Sequence, residues 1–97
     1  MPTVRSLPNQ SQRPVRRQLL DAIECLLAAM RANCEIEEYF QDIVRLLEAT
    51  PMASADYRSA ISRVRNTRRY LNSLESGAAA YELLTLAAKL RSAEPPV

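Results

Sequence analysis

The sequence predicts an all-α fold: a small up-down bundle of about four helices behind a disordered, basic N-terminal arm. Three observations carry that prediction. A single glycine occurs in 97 residues, far too few for the tight, positive-φ turns of sandwiches and barrels. Alanine and leucine, both good helix formers, supply much of the 47% apolar content. The apolar residues also recur at the helical period of about 3.6, in segments separated by turn-forming residues. With charged residues at 25%, the composition is that of a folded chain and not of a disordered one.

Residues 1–13 (MPTVRSLPNQSQR) show no periodicity and are expected to form a flexible arm. Pro14 suits the first position of a helix, where a missing N–H costs nothing. No glycine or proline follows until Pro51, yet one long helix is excluded by phase. Leu19, Leu20, Ile23, Leu26, Leu27 and Met30 form one stripe; Ile36, Tyr39, Phe40, Ile43 and Leu47 form another on roughly the opposite side of the same wheel. A break near Arg31–Cys34 lets both stripes face one core, and Asn33 can supply either a left-handed C-terminal residue or an N-cap. The expected helices are therefore 14–32 and 34–49, joined by a very tight turn.

Thr50–Pro51 ends the second helix, because a residue before proline is pushed out of the α region. Ser54 is the expected N-cap of a third helix, 54–75, with Asp56 in its first turn and Tyr57, Ala60, Ile61, Val64, Leu71 and Leu74 on its apolar face. Gly77 stands where a C-cap is needed. The fourth helix, 78–92, is apolar over so much of its circumference that contacts from more than one side are expected, within the chain or from a second copy. Residues 93–97, with Pro95 and Pro96, read as a frayed tail. The domain organisation is thus an arm (1–13), one helical domain (14–92) and a tail.

The net charge of +2 conceals a segregation. Residues 18–50 carry seven acids against Arg31 and Arg45, whereas 51–75 carry Arg58, Arg63, Arg65, Arg68 and Arg69 against Asp56 and Glu75. On the third helix Arg58, Arg65 and Arg69 share one narrow arc away from the apolar stripe, with Asn72 beside them and Tyr70 adjacent in sequence. Arg63 and Arg68 flank the core edges, where their aliphatic stems can cover apolar surface. Twelve of the thirteen basic residues are arginine, the side chain that forks carboxylates and phosphates. The plain alternative is a solvated helix face, paired with the acidic second helix of the same chain.

Catalysis has little to work with. Histidine is absent, which removes the commonest general base and metal ligand, and no glycine-rich phosphate loop exists. Glu35, Glu38 and Asp42 recur at helical spacing, but they point away from the apolar stripe and lack the histidine of bundle metal sites. No catalytic residue, metal site or cofactor is therefore expected, and no small-molecule substrate is evident. Cys25 and Cys34 form neither a zinc nor a redox motif, and two free thiols in a reducing cytoplasm are the simpler reading. The segment from Ile43 to Arg65 loosely resembles a helix-turn-helix, but its connection is too long and lacks the usual glycine. No apolar run approaches the roughly 20 residues of a membrane span, and the three early prolines oppose an amphipathic targeting helix.

The expectation is a non-enzymatic, cytoplasmic protein–protein interaction module, an adaptor, regulator or assembly subunit that self-associates as a homodimer. Its partner contacts would use Arg58, Arg65, Arg69, Tyr70 and Asn72. The rival expectation is a nucleic-acid-binding protein that grips phosphate with the arm arginines (Arg5, Arg13, Arg16, Arg17) and the arginine stripe.

Overall fold

The computed structural model describes residues 14–92; the expectations for the arm 1–13, with Arg5 and Arg13, and for the tail 93–97 lie outside the described residues. Among the described residues there are four helices: α1 (Val15–Ala32), α2 (Glu37–Ala49), α3 (Ser54–Asn72) and α4 (Ser76–Ser92). Each packs against its neighbour in sequence, and α4 closes back on α1. Ion pairs between helices mark the antiparallel runs. Arg68 reaches Glu37, Arg63 reaches Glu82, and Arg91 reaches Glu24. This is the up-down bundle the phase of the sequence requires. Because α2 and α3 lie side by side, they do not form the crossed pair of a helix-turn-helix.

The core draws on all four helices. Leu19, Leu20, Ile23 and Leu26 meet Phe40, Ile43, Leu46 and Leu47, with Ala60 and Val64 from α3 and Leu83, Leu86, Ala87 and Leu90 from α4. Both stripes read across the α1–α2 break therefore face one interior. The break itself is a left-handed Asn33 with φ 61°. The Asn33 N–H donates to the Met30 carbonyl, and the Cys34 N–H to that of Ala29. This hydrogen-bond pair satisfies two of the carbonyls that a helix end leaves free.

The boundaries differ from expectation in four places, each with a local cause. The second helix begins at Glu37, three residues late, because the chain needs Cys34–Ile36 to turn before the Ile36 carbonyl accepts the first helical bonds from Tyr39 and Phe40. Pro14 caps α1 instead of opening it, since its carbonyl takes the first bonds, from Arg17 and Gln18. Ala53, not Ser54, caps α3: its backbone is extended and its carbonyl accepts from Tyr57, which places Ser54 inside the helix. Finally, α3 stops at Asn72 and Gly77 is not its cap. Leu74 takes the left-handed conformation, φ 61°, with N–H bonds from Leu74 to Leu71 and from Glu75 to Tyr70 that repeat the pattern at Asn33. Gly77 instead lies within α4. As a consequence Leu74, expected in the α3 stripe, is 92% exposed. Among the described residues no helix is long and apolar enough to cross a membrane.

Candidate partner-binding surface

Along the α2–α3 seam runs an open groove of about 420 Å³. Phe40 and Val64, both core residues, form its floor with the half-buried Val44. Arg65, Arg68, Arg69 and Asn72 form the α3 side.

Arg68 is fixed there by three interactions. Its two terminal nitrogens donate to the two carboxylate oxygens of Glu37 at 2.8 and 2.9 Å, the forked geometry that arginine favours. Its guanidinium also lies over the Phe40 ring, 4.7 Å from the centroid, within the range of a cation–π contact. The hydrogen bond from Arg68 holds the Glu37 carboxyl below its ordinary value of 4.5; partial desolvation opposes it, while the charge of Arg68 and a hydrogen bond from Gln41 reinforce it. The same hydrogen bond raises Arg68 above its usual value.

The arginine stripe divides. Arg65 and Arg69 line the groove with Asn72, and no carboxylate among the described residues pairs with either. The acidic α2 thus engages Arg68 and not the stripe. Arg58, on the same face of α3 two turns earlier, is exposed but does not line the groove. Tyr70 falls about 140° round the helix from Arg65 at the helical repeat. It is half-buried on the side of Arg63, which pairs with Glu82 of α4. Tyr70 does not line the groove with Arg65 and Arg69. Arg16 and Arg17 belong to the first turn of α1 and lie apart from the groove. The residues not anticipated as site residues are Phe40, Val44, Val64 and Arg68. Periodicity marked Phe40, Val64 and Arg68 only as core or core edge and did not single out Val44, and the groove exists only once α2 lies against α3.

Other candidates resolve simply. Cys25 and Cys34 are both free and exposed. Cys34 sits in the turn before α2. No group of acids, cysteines or histidines among the described residues could hold a metal ion. On α4, Tyr81 and Leu84 are 66% and 56% exposed. The wide apolar surface of this helix is therefore covered by α1 and α3 over only part of its circumference.

With this geometry in place, the class defined is a four-helix up-down bundle bearing an arginine-rimmed apolar groove. Compared with protein-family models, curated proteins and solved structures, the chain matches none.

Proposed function

We propose that the chain is a non-catalytic protein–protein interaction module whose α2–α3 groove receives an acidic, amphipathic segment of a partner protein. One observation carries this reading: Arg65 and Arg69, without an ion-pair partner among the described residues, stand beside an apolar floor of Phe40, Val44 and Val64. A segment with apolar residues on one side and carboxylates on the other satisfies both features, in the helix-in-groove manner. Arg68, already locked by Glu37 and Phe40, forms a rigid wall that costs no ordering entropy on binding. A nucleic-acid backbone would use the arginines but leave the apolar floor idle, which favours protein over phosphate.

The test is a pull-down from the native cell with wild type and with Arg65→Glu/Arg69→Glu. The expected outcome is loss of a particular protein whose bound segment is acidic, with the variant's helicity unchanged. Loss of bulk nucleic acid, with retention that falls steeply as salt rises, would transfer the assignment to the nucleic-acid reading. Self-association belongs to the same proposal through the exposed Tyr81–Leu84 face of α4. A solution mass measurement that finds only monomer at tens of micromolar removes that part. The two free thiols agree with a reducing compartment such as the cytoplasm.

A further inference from the structure

A second concavity, of about 370 Å³, lies at the end of the bundle where α1 begins and α4 finishes, and takes the first half of α3 where the arginine groove takes the second. Its base is apolar, built from Met52, Ala60, Leu86 and Leu90. Three separate helices each bring one cation to its wall: Arg16 from α1, Arg63 from α3 and Lys89 from α4.

The commitments of these cations differ. Arg63 is neutralised by Glu82, whose Oε1 accepts from its Nη1 at 3.2 Å, yet the Arg63 Nε is buried without a hydrogen-bond partner. Buried guanidinium donors are ordinarily satisfied, but water does not reach this one, so it offers no donor to the cavity. Arg16 and Lys89 have no ion-pair partner among the described residues. Asp56 is the one acid lining the cavity, so the uncommitted groups there sum to a single positive charge. The volume falls within the range of small-molecule sites, which are mostly apolar with a few converging polar groups.

We infer that this cavity binds a small amphiphilic anion, its apolar chain against Met52, Ala60, Leu86 and Leu90 and its carboxylate or phosphate head between Arg16 and Lys89. The cations supply charge-assisted hydrogen bonds to the head. The apolar base supplies the burial that a free inorganic anion could not exploit. This site is distinct from the α2–α3 groove, and it stands or falls independently of the partner reading.

The experiment titrates the full chain with octanoate, octyl phosphate and 1-octanol, following the methyl signals of Met52, Ala60 and Leu90 by NMR. Saturable shifts with one or both anions, and much weaker shifts with the uncharged alcohol, are expected; the stronger of the two anions identifies the head group. Lys89→Glu and Arg16→Glu should each weaken binding by about tenfold, equivalent to about 1.4 kcal/mol, while Asp56→Asn should tighten it. Unchanged helicity and thermal midpoint show that the variants are folded. Three results overturn the inference: no saturable response to either anion at millimolar concentration, equal binding of the alcohol, or affinities indifferent to the charge at 16, 56 and 89.

Discussion

Leu74 holds a left-handed backbone, φ 61°, and leaves its side chain almost wholly in solvent. A β-carbon in that region costs about 1–2 kcal/mol, and here burial offsets almost none of it. Leu74→Gly should therefore raise stability by about 0.5–1 kcal/mol, the relief of strain being partly cancelled by the extra freedom glycine gives the unfolded chain. Urea denaturation measures it; a destabilised variant would show that the leucine makes a contact worth more than the strain. Asn33 occupies the same conformation at the other hairpin, and asparagine tolerates it at low cost. That difference explains why one turn was legible in the sequence and the other was not. Asn33 is a residue type that announces the turn. Leu74 continues the apolar period of α3 and is turned outward only by the closure of α4 on α3.

At the level of the helix, the termini decide more than the interiors. Neither α1, α2 nor α3 has a side-chain hydrogen bond at its N-cap, so the cap residue of each offers no side-chain acceptor to the first N–H groups. Ala53 has the extended φ and ψ of a capping residue but no side-chain oxygen to offer. Ala53→Asp supplies that oxygen and also places a negative charge at the positive end of the dipole. A gain of about 0.5–1 kcal/mol is expected from thermal or urea unfolding, and no gain would mean that the α3 cap geometry differs. The apolar stripes of α1 and α2 were legible because their period is strict and their central members are buried, with Leu27, Met30, Ile36 and Tyr39 packed at the margin. The α3 stripe was less so: only Ala60 and Val64 of its expected members are buried, while Tyr57, Ile61 and Leu71 pack at the margin. Thr67, also fully buried, escaped the apolar reading because its hydroxyl donates to the Arg63 carbonyl within the helix and so carries no unmet polar demand into the core.

Across the whole molecule, the interactions that tie helices together through charge join residues far apart in sequence: Arg68 with Glu37, Arg63 with Glu82 and Arg91 with Glu24. Each member was visible as a surface or edge charge, but which pairs form depends on packing that no local pattern encodes. The same holds for the arginine groove, whose two walls lie on different helices. The Arg68–Glu37 pair has a pH signature. Since the carboxyl of folded Glu37 lies below 4.5, its contribution is present above the ordinary carboxylate range and is lost as pH falls through the lowered folded value. The stability difference between wild type and Glu37→Gln should therefore be largest near neutral pH and shrink as acid is added, measured by urea unfolding at a series of pH values. A difference that stays constant down to strongly acidic pH would show that the pair contributes through packing alone.

Arg16, in the first turn of α1, and Ser92, the last residue of α4, line the same cavity. The two ends of the helical region are thus neighbours, and the bundle is close to a closed ring in which every helix meets the next. In such a ring the chain's starting point is a matter of where the backbone is cut. A short linker across that end, with new termini opened in the exposed Ser73–Glu75 turn, would give a circular permutant with the same four neighbours in a different order. It would also carry the strained leucine out of its turn and into a free end, separating the cost of that residue from the architecture it now closes.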